Sequence, residues 1–209
     1  MVMIQYIHKN LLACCIFLSF FISLCGQEQD SLTLPNEIRL NERQPPERIL
    51  QTIGIKPGMI IGEVGAGRGR YTVQIAARIG PAGMIYANDI NQNSLKFLER
   101  RCVDNGLMNV KTILGSVTDP KLPVGILDMV IMVNVVHCLE EPVPLLQNIR
   151  KSLKPDGLIV IVEGNLDKAP SAAGEWYTRN KILQIYKDSG YSLVREETFL
   201  PQDNIYFLK

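Results

Sequence analysis

Five short apolar runs lie between Met59 and Glu163, most of them separated by segments of helical spacing. The runs are Met59–Val64, "MIYAND", "NVKTILG", Ile126–Val136 ("ILDMVIMVNVV") and "LIVIVE". After the first, Val73, Ala76, Ala77 and Gly80 stand at helical intervals. After the second, a helix from about Asn93 to Asn105 puts Leu95, Leu98 and Cys102 on one stripe. "PLLQNIRKSLKPDG" reads as a helix closed by a Pro-Asp-Gly turn, and "TRNKILQIYKDSGY" as one more helix. "SLVREETFL" and "NIYFLK" alternate like a half-exposed closing hairpin. Strands alternating with helices predict an α/β fold with an open, mostly parallel sheet covered on both faces. The unbroken apolar run Ile126–Val136 implies a strand buried on both sides. Ligands of such sheets bind beyond the carboxyl ends of the strands. The loops after Val64, Asn88, Leu114, Val133 and Val162 are therefore expected to line one crevice.

The first residues follow other rules. Lys9 is the only formal charge in residues 1–26, Leu11–Leu24 is apolar or small, and "GQEQD" then turns polar. This pattern predicts a signal peptide over residues 1–25, cut after Cys25. An uncleaved anchor and a lipoprotein acylated at Cys25 are the alternatives. The apolar run is shorter than the roughly 20 residues that span a bilayer as a helix. Residues 26–44 read as a linker or N-terminal arm, and residues 45–209 as the domain. Removing Lys9 from the 22 basic residues leaves 21, against 21 acidic ones. A neutral domain has no bulk attraction to nucleic acid or to an anionic membrane. Contact with a membrane is expected only through the leader or a lipid anchor, and the sequence leaves the oligomeric state open. Cys102 and Cys138 are the only cysteines after the leader and are expected to be buried thiols, with no metal site.

The stretch "GEVGAGRGRY", Gly62–Tyr71, joins the first strand to the next helix. Gly65 and Gly67 fit the start of the dinucleotide fingerprint, but its third glycine position holds Arg70, and Gly69 makes the pattern G-x-G-x-G. No Gly-Lys-Ser or Gly-Lys-Thr follows, which excludes a P-loop. Glu63 sits in the strand end, where a carboxylate needs a donor or a cation such as a ligand ammonium group. Asp89 ends the second strand, placed to accept both hydroxyls of a ribose.

"EVGAGRG" followed by Asp89 after "IYAN" resembles motif I and the acidic motif of class I S-adenosylmethionine-dependent methyltransferases. "ILDMVIMVNVVHCLEEP" and "LLQNIRKSLKPDGLIVIVE" resemble that family's fourth-strand motif and the helix and strand after it. The resemblance covers about Pro45–Lys209. It implies a three-layer Rossmann-like fold with a seven-stranded sheet whose last strand is antiparallel. It implies S-adenosyl-L-methionine as cofactor, held by the loop Gly65, Ala66 and Gly67, with Glu63 at its amino group and Asp89 at its ribose. Ile90 is expected against the adenine. Ser116 stands where the family usually has an acidic residue for the adenine amino group, with Val117 backbone atoms or Asp119 as alternatives.

The activity implied is methyl transfer to a small molecule. Candidates for the chemistry follow the fourth strand. His137, the only histidine after the leader, is the expected general base. Asn134 is expected to aim its amide at the crevice, at cofactor or acceptor, or else to tie down its own loop. Arg70 is expected to be solvated, Arg68 to meet the ligand carboxylate or solvent, and Tyr71 to close over the methionine end or staple the helix start. Trp176 and Tyr177 are expected either in a lid over the acceptor or under the sheet edge. An exported domain conflicts with a cofactor made in the cytosol. That keeps two alternatives open: an exported, non-catalytic binding module, and an aminopropyl transferase.

Overall fold

The computed structural model describes residues 32–209, so the expected signal peptide over residues 1–25 lies outside the described residues. One compact unit runs from Asn36 to Lys209. It takes in Asn36–Gln44, which the sequence reads as linker or arm.

Seven strands form one sheet: β1 (Ile60–Val64), β2 (Met84–Asp89), β3 (Val110–Leu114), β4 (Leu127–Val133), β5 (Leu153–Gly164), β6 (Leu193–Glu197) and β7 (Asp203–Leu208). Their spatial order is β3-β2-β1-β4-β5-β7-β6. The first five are parallel, and β7 runs antiparallel to both β5 and β6. The strand order reverses between β1 and β4, so a crevice opens at their carboxyl ends.

The helices are α1 (Ile38–Arg43), α2 (Pro46–Thr52), α3 (Arg70–Ile79), α4 (Gln92–Asp104), α5 (Pro142–Arg150) and α6 (Arg179–Asp188). Alternate residues of the central strands feed two separate cores. Met129, Ile131, Val160, Val162, Ile205 and Phe207 pack with α2 and α3. Val130, Met132, Ile159, Ile161, Tyr206 and Leu208 pack with α5 and α6. This is the two-residue period of a strand covered on both faces, and it explains the unbroken apolar runs.

Three expectations are corrected. The buried residues of α3 are Tyr71, Thr72, Val73, Ile75, Ala76 and Ile79; Val73 and Ala76 face inward as expected, but Ala77 is exposed. The stronger apolar side chains, Ile75 and Ile79, set the inward face. The helix before β5 ends at Arg150, and Lys154–Gly157 belongs to β5 as a bulge, since Leu127 pairs with Leu153 and Met129 with Leu158. The closing hairpin is not half-exposed throughout. β7 inserts between β5 and β6 and is buried along its whole length, leaving β6 as the exposed edge.

A bidentate ion pair anchors the arm. Arg101 of α4 donates two hydrogen bonds of 2.8 Å to Glu37, both side chains being nearly inaccessible. Arg101 also donates to the Arg68 carbonyl in the glycine loop, which links arm, loop and α4. Among the described residues, no helix is long and apolar enough to cross a membrane.

Candidate active site

The glycine loop turns sharply between β1 and α3. The Gly65 and Ala66 amides both donate to the Asn88 carbonyl at the end of β2. Gly65 has φ +76°, and a Cβ there would stand 2.4 Å from a Val135 methyl, so this position excludes any side chain. Gly67, at φ +55°, has nothing within 4 Å of where its Cβ would be, so the loop crest faces open space. Ala66 is buried.

Asp89 ties the loop to the second strand. Its Oδ2 accepts the Gly67 amide at 2.7 Å and its Oδ1 the Asn91 amide at 2.8 Å. An ionised carboxylate has about four lone-pair sites, so each oxygen keeps one for a ligand hydroxyl. A cavity of about 180 Å³ opens beside it, lined by Gly65, Asp89, Ile90, Ser116, Val117 and Leu139 among others. Ile90 is 63% exposed, an apolar surface on the wall of this cavity. The Ser116 hydroxyl and amide are engaged with Asp119 in a tight turn, as the expectation for this segment allows.

Glu63 lies under the loop with 3% exposure. Its Oε2 accepts the Thr72 hydroxyl at 2.6 Å. Burial pushes its carboxyl up to about 7, against the hydrogen bond from Thr72 and the nearby Arg70. A carboxyl in that state gains from any cation brought beside it.

Asn134 and His137 belong to a second group, on the β5 side. Asn134 adopts the left-handed conformation at φ +55°. Its amide exchanges two hydrogen bonds with that of Gln44, at 2.9 and 3.1 Å. Gln44 is wholly buried; it also donates to Asp203 at 2.7 Å and accepts from Arg70 at 2.6 Å. Tyr71 donates its hydroxyl proton to the Gln44 carbonyl, which makes it a staple for the arm. Arg70 is therefore not solvated, contrary to expectation. It reaches Gln44 and Asn41 because the arm folds back over the start of α3. Arg68 stacks over Phe97 at 3.7 Å.

His137 lies on a 3-10 turn, Val136–Cys138, just past β4. Its Nδ1 stands 2.5 Å from Glu163 Oε1, at the end of β5. That hydrogen bond to a carboxylate with no exposure raises the imidazole above its ordinary range, against the effect of burial. Cys138 is exposed, not buried, because the turn sets it on the wall of the cavity; Cys102 is buried as expected. Trp176 lies flat against Gly164, where a Cβ would come within 2.5 Å of the indole, and Arg43 sits 5.1 Å over its ring. Tyr177 packs against the core beneath α6.

The expected cofactor residues Gly65, Asp89, Ile90 and Ser116 thus meet in one cavity, with Glu63 below and Gly67 at its edge. A methyltransferase-domain family model matches residues 62–161, the span from the glycine loop through β5. Residues 62–161 of the chain are thus a methyltransferase domain. Nocamycin O-methyltransferase of Saccharothrix syringae is 28% identical over 117 residues, 56% of this chain and 42% of that one. A ubiquinone/menaquinone biosynthesis C-methyltransferase of Bordetella parapertussis is 29% identical over 135 residues, 63% of this chain and 52% of that one. The chain spans about half the length of the curated relatives it matches. A methyltransferase structure from Aquifex aeolicus shares the fold at a TM-score of 0.72, with 24% identity over 78% of this chain and 88% of that one.

The residues of this methyltransferase domain suit S-adenosyl-L-methionine. The loop crest is open, the Asp89 carboxylate keeps lone pairs for further donors, and the buried Glu63 would gain from a nearby cation. Glu163, Gln44 and Asp203 are functional candidates that the sequence reading missed. Glu163 had a signal: it ends the apolar run "LIVIVE" much as Glu63 stands next to the end of "MIIGEV", a charge where burial is expected. Gln44 had none, being one polar residue in a polar arm.

Proposed function

We propose that the protein transfers a methyl group from S-adenosyl-L-methionine to a small-molecule acceptor. The observation that carries this reading is Asp89, fixed by the Gly67 and Asn91 amides on the wall of the cavity with lone pairs to spare. When bound, the cofactor supplies an electrophilic methyl on a sulfonium, whose carbon–sulfur electron pair stays on sulfur as the methyl leaves. The chain's own work is alignment, exclusion of water and removal of the acceptor's proton. Asp89 holds the ribose, Ile90 and Ser116 flank the base, and Glu63 takes the ammonium group. His137 is the general base, and Asn134 braces the mouth through Gln44.

The curated relatives named above act as O- and C-methyltransferases, which supports a small organic acceptor and leaves the acceptor atom open between oxygen and carbon. Aminopropyl transfer has less support. Glu163, at the end of β5, already accepts from His137, Val136 and Gly164, so it is not open to an amine. Residues 1–25 are proposed as an export leader, testable by intact mass of protein from its native host. Titration calorimetry of Asp89→Ala tests the cofactor reading. Losing hydrogen bonds to a charged group costs roughly 1.5–3 kcal/mol, about tenfold to a hundredfold in affinity. Unchanged affinity in a folded variant would refute the assignment.

A further inference from the structure

Glu163 closes β5 inside the protein with no exposed surface. All of its hydrogen-bonding contacts converge on the β4 mouth and on its own neighbour. Oε2 accepts the Val136 amide at 2.7 Å, and Oε1 accepts the Gly164 amide at 3.2 Å and meets His137 Nδ1 at 2.5 Å. The carboxylate therefore holds both the backbone of the 3-10 turn and the ring that the turn carries. Three donors converge on it.

An ionised carboxylate only accepts hydrogen bonds. The short contact therefore puts the imidazole proton on Nδ1 and leaves the lone pair on Nε2, which has no partner among the described residues. The same charge stabilises the imidazolium once Nε2 has taken a proton. The other charged groups acting on the ring are Glu175, in the segment after β5, and Arg43 of α1; their influences oppose each other.

We propose that Glu163 is the positioning residue of a His137–Glu163 dyad, and that the acceptor offers Nε2 a weakly acidic hydroxyl of the phenol or enol class. This rests on the reading of His137 as base. The acceptor's hydroxyl proton passes to Nε2 and gives an imidazolium. The electron pair freed on the acceptor forms the new bond to the methyl carbon, and the old carbon–sulfur pair remains on sulfur. Acidity argues for this class: a phenol near pKa 10 lies within reach of a carboxylate-backed imidazole, whereas an ordinary alcohol is too weak an acid. An amine with a free lone pair needs no such base.

Glu163→Gln separates positioning from simple support. Its amide oxygen still accepts the Val136 amide, while its NH₂ donates to Nδ1 and drives the ring proton onto Nε2. Nitrogen NMR of the protein without cofactor, with His137 assigned by its loss in His137→Gln, reads the tautomer directly. The native protein is expected to show the Nδ1–H form, and Glu163→Gln the Nε2–H form with a lower imidazole pKa. With a phenolic or enolic acceptor, turnover should fall about 10²-fold with cofactor affinity unchanged, and the acid limb of the rate profile should move to lower pH. If His137→Gln costs turnover but Glu163→Gln alters neither tautomer nor turnover, the positioning role is overturned and the base reading stands. If His137→Gln costs nothing, the base reading falls, and the dyad with it. Should Glu163→Gln fail to fold, an Nε2–H form in the native protein overturns the proposal by itself. Turnover only of amines or thiols overturns the acceptor class.

Discussion

Gln44 and Asn134, ninety residues apart in the chain, exchange two side-chain amide hydrogen bonds beside the end of β4. Gln44 has no exposed surface, and the pair is braced by Arg70 on one side and Asp203 on the other. The contact fixes Asn134 in its left-handed conformation and seats the arm over the start of α3. Asp203 has no such reserve. Its Oδ2 lies 3.3 Å from Arg43 Nε without hydrogen-bond geometry, and burial holds its carboxyl above the usual range.

Gln44→Ala removes partners from three polar side chains at once. Each buried polar group left unsatisfied costs about 1–3 kcal/mol, and partial rescue by water sets the expected loss at roughly 2–4 kcal/mol. For a domain of this size, that lowers Tm by on the order of 5–15 °C. Calorimetric or urea unfolding of the variant checks it. A Tm within 2 °C of the native value would mean that the arm is a passive strap.

Glu63 makes stability and cofactor affinity depend on pH in opposite senses. Its folded pKa, about 7, lies above its ordinary 4.5. The folded state thus keeps a proton that the unfolded state releases. That contribution is complete below pH 4.5 and is lost as pH rises to 7. The cofactor-free protein should lose roughly 2–3 kcal/mol from this group across that window. Arg70, Asp89 and Arg101 act on the same carboxyl, so the comparison is with Glu63→Gln, which should lack this component. Affinity for S-adenosyl-L-methionine should instead rise with pH up to about 7, because the ammonium group favours the ionised form. Parallel pH curves for native and variant protein would rule out Glu63 as the cause.

His137→Gln should lower turnover by about 10²–10⁴-fold and leave cofactor affinity nearly unchanged. The base must be neutral to act, and Glu163 raises its pKa. The acid limb of the native rate profile should therefore sit above the ordinary 6.5 of an imidazole. The same shift adds stability below 6.5, which is lost as pH rises through the folded value. A rate profile of native and variant protein, with a turned-over acceptor, checks both parts.

Gly164→Ala tests the packing of the only tryptophan in the chain. A Cβ at 164 would come within 2.5–2.8 Å of three ring atoms, at the end of β5 where the backbone is held by pairing with Asp203. Trp176 should be displaced towards solvent, with a red-shifted and more easily quenched emission. Overpacking of this kind costs about 1–3 kcal/mol. Native-like fluorescence with unchanged stability would show that the loop carrying Trp176 adapts freely.

Short-range rules were enough to read the layers of this protein from its sequence. Strand and helix periods gave the sheet, its cover and the carboxyl-end crevice. The glycine spacing with Glu63 and Asp89 marked the cofactor wall, because each of those residues lies within its own strand–loop unit. The order of β6 and β7 was not legible, since a hairpin's alternation does not say which of its strands joins the sheet; pairing with β5 buried β7 and exposed β6. The pairings Gln44–Asn134 and His137–Glu163 were equally hidden. Each joins a polar side chain to a partner 26 or 90 positions away, and which two polar groups meet is decided only when β4, β5 and the arm are brought side by side. Sequence determined the elements and their buried faces through local periodicity. Only the tertiary structure decided which charges were left without water, and therefore which ones had to find each other.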